Sequence, residues 1–149
     1  MPGPLTATII AAAMSFVSLN RPALVPELQD THLDDTAMAE MTDKGPVILF
    51  NPKLYRAAGE AREFVRAHEY GHVLLGHLDD EEMLSTSEGR ARAEAEADCF
   101  AARASTKEAV IAMAKLVRSL PAEPRDAIYG TKPERARRIL ACAGIEQQG

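Results

Sequence analysis

The sequence predicts a single α+β domain, and three observations support this prediction. The chain has 149 residues and a mass of 16.1 kDa, the usual size of one domain with one hydrophobic core. It is 46% hydrophobic and 26% charged, as soluble globular proteins are. One short run of β-forming residues precedes long segments with helical periodicity. We therefore expect a small sheet and several helices.

The N-terminal residues form a segment of their own, which we place at 1–21, with the single domain at 22–149. Residues 5–19 carry no charge and resemble the apolar region of a secretory signal. As a helix they are too short to span a bilayer. No Lys or Arg precedes them, which speaks against a signal. We expect either an export signal, which is slightly favoured, or a buried element that packs on the core.

The next part of the chain is predicted to be a loop followed by a strand. Residues 21–45 contain prolines and acidic residues and show little periodicity, so we predict a loop with one short helix at 36–41. The apolar run 47–50 is rich in β-forming residues and is followed by Asn51-Pro52. This pattern is typical of a strand that ends in a turn.

The remaining residues are predicted to be mostly helical. Apolar residues and histidines recur three and four apart over 54–77, which predicts one long helix. An acidic, serine-containing loop at 79–89 separates it from a second helix at 90–104. We predict a third helix at 107–119 and a last short one after Pro133, ending near Ala143 before Gly144.

Charge and cysteine content exclude some classes of protein. The net charge of −5 and the isoelectric point near 5.4 argue against a nucleic-acid partner, because such binding depends on clustered Lys and Arg. Cys99 and Cys142 are too few for a disulfide framework or a zinc ribbon. One bridge between them is compatible with the sequence, but the sequence does not establish it. Within a helix, Cys99 is expected to act as a small hydrophobic residue.

The predicted chemistry lies in a HExxH sequence, His68-Glu69-Tyr70-Gly71-His72. Residues four apart lie on one face of a helix, so both imidazoles can bind one ion. Glu69 is rotated by about 100° from His68, which places its carboxylate beside the metal. There it can take a proton from a zinc-bound water whose pKa is lowered to about 7. The alternative is a helix with two exposed or hydrogen-bonded histidines and a solvated Glu.

A hydrolytic zinc site usually has a third protein ligand, which we expect on the second helix. Glu94 and Asp98 are four apart on one face of that helix, whereas Glu96 points elsewhere. Either glutamate could coordinate, and we choose Glu94 because Asp98 lies one turn further along the same face. Asp98 can accept a hydrogen bond from the outer nitrogen of His68 or His72 and so fix its tautomer.

These residues resemble gluzincin metallopeptidases, the class that contains the CAAX prenyl proteases, the heat-shock membrane proteases and their small soluble or periplasmic relatives. The HExxH sequence with His77 five residues later is similar to the family's first motif. Glu94-x-x-Ala97-Asp98 is similar to its ExxAD segment, in which the first Glu is a zinc ligand. Thr131-Lys132-Pro133 followed by Arg138-Ile139 resembles its C-terminal motif. The resemblance covers 46–140 and implies a zincin-like (minigluzincin) fold.

This chain departs from that family's pattern at Lys132 and in the short loop between the two motifs, and the sequence does not separate it cleanly from a related small group. Lys132 stands where the family usually has His, so a role for that His is not carried over. The segment 97–101 is also similar to phage anti-repressor and radiation-response regulator peptidases. This second resemblance implies an alternative function, a non-catalytic or latent zinc-binding regulator.

Other polar residues receive structural interpretations. His77 is interpreted as a packing residue or as a hydrogen-bond partner of a zinc ligand, with adventitious metal contact as a lesser alternative. His32 is interpreted as a structural or solvated residue. For Tyr70 and Tyr129 we favour packing over donation to an oxyanion. Arg138 is expected to pair with a helix carboxylate.

The interpretation favoured by the sequence is a zinc-dependent endopeptidase. His68, His72 and Glu94 would bind Zn²⁺, and Glu69 would act as general base before it passes the proton to the leaving amine. The partner would be a peptide or protein substrate that adds to a sheet edge, with no nucleic acid and no clear membrane span. The rival class is a structural helical protein that binds no zinc. The sequence indicates neither the cleavage site nor the oligomeric state.

Overall fold

The fold is α+β, with a small sheet at the start and helices after it. The computed structural model describes residues 25–146, so the predicted signal or buried element at 5–19 lies outside the described residues. In chain order the elements are β1 (Glu27–Gln29), β2 (Ala37–Thr42), β3 (Gly45–Phe50), α1 (Pro52–Ala57), α2 (Arg62–Leu74), α3 (Glu81–Leu84), α4 (Ser87–Ala104), α5 (Lys107–Ser119), α6 (Asp126–Tyr129) and α7 (Lys132–Cys142). None of the helices in this part of the chain is long and apolar enough to cross a membrane.

The sheet has the order β1-β3-β2, so β2 lies at one edge. The central strand β3 pairs in parallel with β1 and antiparallel with β2. It contains the strand predicted at 47–50, and that prediction is confirmed. Ile48 on β3 and Ala37 on β2 are buried, and both strands contact α2. One face of the sheet therefore packs on the helix that carries the HExxH sequence.

The prediction of a short helix at 36–41 is wrong, because these residues lie in and next to the edge strand β2. The chain turns between β2 and β3 through Asp43 and Lys44. The Thr42 hydroxyl donates to the carbonyl of Gly45 at 2.7 Å and accepts from the Lys44 N–H at 3.2 Å. Gly45 has a φ of 110°, which is open to glycine and strained for other residues. The hairpin therefore overrides the weak local preference for a helix.

The long helix predicted at 54–77 is divided into α1, a 3₁₀ turn at Gly59–Ala61 and α2. Asn51 caps α1 by accepting the backbone N–H groups of Lys53 and Leu54. Gly59 interrupts the helical run with a φ of 59°. The second half of the prediction ends three residues too late, because α2 stops at Leu74.

The loop predicted at 79–89 is partly helical. It contains α3, and α4 begins at Ser87, three residues before the predicted start at 90. Thr86 caps α4, since its hydroxyl accepts the N–H of Gly89 at 3.0 Å. Composition predicts Thr86 and Ser87 to be loop residues, yet they form the start of this helix.

The C-terminal helices contribute to the hydrophobic core. The helix predicted at 107–119 is confirmed as α5. The last predicted helix corresponds to α7, which Thr131 and Glu134 begin with a reciprocal capping box, and which has Pro133 in its first turn. The short helix α6 was not predicted. The core lies between α5, α7, α4 and the start of α2, and its buried members are Ala61, Phe64, Ala101, Ala102, Val110, Met113, Ala114, Val117, Ala136, Ile139 and Leu140.

A disulfide between Cys99 and Cys142 joins α4 to the end of α7. The expectation that Cys99 is simply a small hydrophobic residue is therefore corrected. The two cysteines are 43 residues apart, and no local sequence pattern pairs them. Their proximity depends on the way α7 packs against α4.

Candidate metal centre

Close packing of α2 on α4 creates the site, and Gly71 makes this approach feasible. A Cβ atom at Gly71 would lie 3.1 Å from Cδ1 of Phe100 and 3.3 Å from Cα of Ala97. Any larger residue would have to displace α4 or the Phe100 ring. The glycine inside the HExxH sequence therefore allows the histidine face of α2 to lie against the acidic face of α4.

Three predicted ligands have their donor atoms together in this contact. The Nε2 atoms of His68 and His72 are 3.0 Å apart. The two carboxylate oxygens of Glu94 lie 3.2 Å from Nε2 of His68 and 3.2 Å from Nε2 of His72. These atoms form a group that could hold a metal ion. Around a tetrahedral zinc with bonds of about 2.0–2.1 Å, ligand atoms are separated by roughly 3.3 Å. The donor set therefore fits zinc.

The outer nitrogen of His68 is held by Asp98. Nδ1 of His68 lies 2.9 Å from Oδ1 of Asp98, and the Asp98 side chain is only 1% exposed. Arg135 on α7 donates to both oxygens of Asp98, from Nε at 2.8 Å and from Nη2 at 2.9 Å. Because the carboxylate is ionised and accepts from Nδ1, neutral His68 keeps its proton on Nδ1 and leaves Nε2 free as a ligand. Sequence reasoning placed Asp98 next to a histidine and missed Arg135.

The outer nitrogen of His72 has a different partner, His77. The two Nδ1 atoms are 3.0 Å apart, and Nε2 of His77 lies 2.9 Å from Oε2 of Glu96. The His77 side chain is 2% exposed. Of the two glutamates that the sequence left open, Glu94 is therefore the one beside both histidines, while Glu96 contacts His77.

Carboxylates make the site strongly attractive to a cation. Burial lowers the pKa of His68, but the hydrogen bonds and charges of Asp98 and Glu94 outweigh it and raise that pKa to about 10. Burial raises the pKa of Glu94, yet the hydrogen bonds with His68 and His72 outweigh it and bring that pKa well below its usual value. Zinc binding would displace the proton of His68, as histidine ligands bind metal in their neutral form.

Glu69 lies at the same site but makes a different contact. Its Oε2 accepts a hydrogen bond from the backbone N–H of Ala39 on β2 at 2.7 Å. Burial raises the pKa of Glu69, and this effect exceeds the opposing charges of His68 and His72 and the hydrogen bond from Ala39. A carboxylate with a raised pKa is a better proton acceptor near neutral pH than an ordinary one. Glu69 is thus suited to act as a base.

The other residues considered from sequence take no part in this donor set. His32 is 96% exposed, and the ring of Tyr70 lies under the guanidinium of Arg66 at 5.1 Å. Tyr129 is half-buried in α6. Nε of Arg138 is buried without a hydrogen-bond partner, and its expected ion pair with a helix carboxylate is not formed among residues 25–146.

Lys132 pairs with two carboxylates. Its Nζ lies 2.9 Å from Oδ1 of Asp126 and 3.3 Å from Oε2 of Glu123. The amine therefore forms part of the contact between α6 and α7.

Comparisons of the chain with protein-family models, with curated proteins and with solved structures gave no match.

Proposed function

We propose that this protein is a zinc-dependent endopeptidase with a zincin-like fold. The observation that carries the proposal is the convergence of three donor groups, from His68, His72 and Glu94, with the carboxylate of Glu69 at the same site. A group of two histidines and one glutamate is typical of zinc peptidases, which keep a further position open for water or substrate. The Glu94 side chain is 41% exposed, which is consistent with a site open on one side.

His68, His72 and Glu94 would hold the ion. When bound, zinc would lower the pKa of a coordinated water and polarise the carbonyl of the substrate. Asp98 and Arg135 support this role by fixing the ring of His68. Orientation of this kind matters because misplaced ligands weaken both metal binding and catalysis.

Glu69 would act as the general base and then as the acid. It would accept a proton from the attacking water and deliver the same proton to the nitrogen of the leaving amine as the peptide bond breaks. Burial and the Ala39 hydrogen bond hold its carboxylate in one place. A fixed base near the reacting atoms is expected to contribute a rate factor of about 10²–10⁴.

The free edge of β2 would bind the substrate backbone. Ala39 is opposite Ile48, but the Ile48 N–H donates to Pro26 and the Ala39 N–H donates to Glu69. In an antiparallel pair such a residue directs its N–H and C=O away from the partner strand. The polar groups of Ala39 therefore lie on the outer edge, beside Glu69, where an extended peptide can add as a strand.

A latent or non-catalytic zinc-binding regulator is the second candidate, and one contact favours it. One oxygen of Glu69 is already hydrogen-bonded to Ala39 on the edge strand. In a latent protein the base would keep this bond, and a substrate strand would have to displace it. In a regulator, zinc would serve only to hold α2 and α4 together.

The test measures zinc content and peptide cleavage in the same preparations. We would compare the wild type with Glu69→Gln, and use Glu60→Gln as the control because Glu60 is exposed in the 3₁₀ turn. We expect one zinc per chain in all three proteins. Casein and peptide cleavage should persist in the wild type and the control and fall by about 10²-fold or more in Glu69→Gln.

The other outcomes discriminate between the candidates. One zinc per chain without cleavage by the wild type would favour the regulator. Absence of zinc from the wild type after incubation with excess zinc would contradict both candidates.

A further inference from the structure

We propose that His77 is a positioning residue for the metal centre, which it connects to Glu96 through a chain of two imidazoles, the His72–His77–Glu96 relay. The proposal rests on zinc binding at His68, His72 and Glu94, and it does not require the protein to be a peptidase. In this proposal a buried histidine that does not itself bind the ion orients the ring of a histidine that does.

The end of α2 places His77 in contact with His72. Gly76 follows the helix with a φ of 74°, a conformation that favours glycine and reverses the chain direction. The backbone N–H of His77 then donates to the carbonyl of His72 at 3.0 Å. The four residues between these histidines therefore bring their rings into edge-on contact, with centroids 5.2 Å apart.

The hydrogen bonds of the relay define the tautomers of both rings. The carboxylate of Glu96 can only accept, so Nε2 of His77 donates to it at 2.9 Å. With its proton on Nε2, neutral His77 presents a lone pair at Nδ1. His72 must then donate from its own Nδ1 across the 3.0 Å contact, which leaves Nε2 of His72 free to bind the ion.

The relay differs from the arrangement at the other histidine ligand. His68 is held directly by a carboxylate that is 1% exposed, whereas His72 is held by an imidazole whose carboxylate partner, Glu96, is 45% exposed. Solvent screens the charge of Glu96, and Arg92 lies 3.8 Å from its other oxygen. The main contribution of the relay is therefore the acceptor at Nδ1 of His77, with the charge of Glu96 a smaller one.

A purely packing role for His77 and the relay predict different effects of substitutions at this position. If only shape mattered, Phe would replace His77 with little effect on zinc binding. In the relay, Phe removes the acceptor, whereas Asn keeps an oxygen near the place of Nδ1. Glu96→Gln keeps an acceptor for His77 and removes only the charge.

The experiment measures the zinc dissociation constant by competition with a chromophoric chelator, using the full chain. The variants are His77→Phe, His77→Asn and Glu96→Gln, with His32→Phe as the matched control because His32 is 96% exposed. We expect zinc affinity to fall by about 10–100-fold in His77→Phe and by less in His77→Asn and Glu96→Gln. The control should bind zinc like the wild type. The absorption spectrum of the cobalt-substituted protein should change in His77→Phe, because the ring of His72 is no longer held.

Several results would overturn the relay. Zinc affinity of His77→Phe within about twofold of the wild type would do so, as would His77→Asn binding no better than His77→Phe. If His77→Phe does not fold, Glu96→Leu decides the matter, because it removes the acceptor that holds the proton of His77 on Nε2. Unchanged zinc affinity together with an unchanged cobalt spectrum in Glu96→Leu would contradict the relay. A wild type that binds no zinc overturns both proposals, whereas zinc binding without cleavage contradicts only the endopeptidase.

Discussion

The carboxylate of Asp98 lies 2.9 Å from Nδ1 of His68 and receives two further hydrogen bonds from Arg135. These hydrogen bonds connect Arg135 on α7, through Asp98 on α4, to His68 on α2. Burial raises the pKa of Asp98, but the hydrogen bonds of Arg135 and His68 outweigh it and lower that pKa below its usual value. The carboxylate is thus kept ionised in a position that is 1% exposed.

Arg135→Met is expected to destabilise the protein and weaken zinc binding. The substitution leaves a buried carboxylate with one partner fewer, which typically costs several kcal/mol when the charge is fully buried. Arg135 is 28% exposed, so water can partly replace it and we expect a loss of about 2 kcal/mol. Urea unfolding of the metal-free protein measures this loss. Arg137→Met is the matched control on an exposed position of the same helix, and an equal loss in both variants would contradict the role of Arg135.

Sequence periodicity was sufficient to place the donor residues, because the relationships among them are local. His68 and His72 lie one helical turn apart, as do Glu94 and Asp98, and a spacing of four residues on a helix determines this. The structure brings both pairs together in the contact between α2 and α4. Gly71, which permits the contact, is visible in the sequence only as one of the two variable positions of the motif.

Partners that approach from distant elements could not be predicted. Ala39 donates to Glu69 across 30 residues and Arg135 donates to Asp98 across 37, so both depend on tertiary packing. The sequence predicts a short helix at 36–41 in place of the edge strand β2, and a helix there would not present the Ala39 N–H to Glu69. The signal that could have identified β2 is the two-residue turn before Gly45, flanked by strand-length segments.

Gly71→Ala is expected to weaken zinc binding by disturbing the contact between α2 and α4. The new methyl group would lie 3.1–3.3 Å from Phe100 and the backbone of Ala97, so the helices must move apart by a few tenths of an ångström. Overpacking of this kind costs about 1–3 kcal/mol. Thermal unfolding and zinc competition measure the two effects. The double variant Gly71→Ala/Phe100→Leu should recover part of both, and no recovery would indicate that the backbone contact dominates.

Zinc is expected to stabilise the wild type more than Glu94→Gln. A ligand at about 100 times its dissociation constant contributes about 2.7 kcal/mol, which corresponds to roughly 5–10 °C for a domain of this size. Glu94→Gln replaces an anionic ligand with a neutral one and should lose most of that shift. Glu88→Gln, near the start of the same helix, should keep it. The measurement is Tm with zinc and with EDTA, and a full zinc shift in Glu94→Gln would exclude Glu94 as a ligand.

Lys132→Met is expected to lower Tm at neutral pH, and the loss should disappear in acid. The backbone N–H of Glu123 and the ammonium of Lys132 lower the pKa of Asp126 below its ordinary value of 3.8. A carboxylate with a lowered folded-state pKa stabilises the fold above the unfolded value, and this stabilisation is lost as pH falls through the folded-state pKa. In Lys132→Met, part of that stabilisation is already absent at neutral pH.

The pH series distinguishes this ion pair from simple packing. Tm of the wild type and Lys132→Met should differ at pH 7 and pH 5. The difference should shrink as pH falls below 3.8 and vanish only below the lowered folded-state pKa of Asp126, where the carboxylate is protonated in both proteins. Lys115→Met, at an exposed position of α5, should follow the wild type at every pH. A difference between wild type and Lys132→Met that stays constant down to pH 2 would mean that the aliphatic chain of Lys132, which is 12% exposed, stabilises α6 by packing alone.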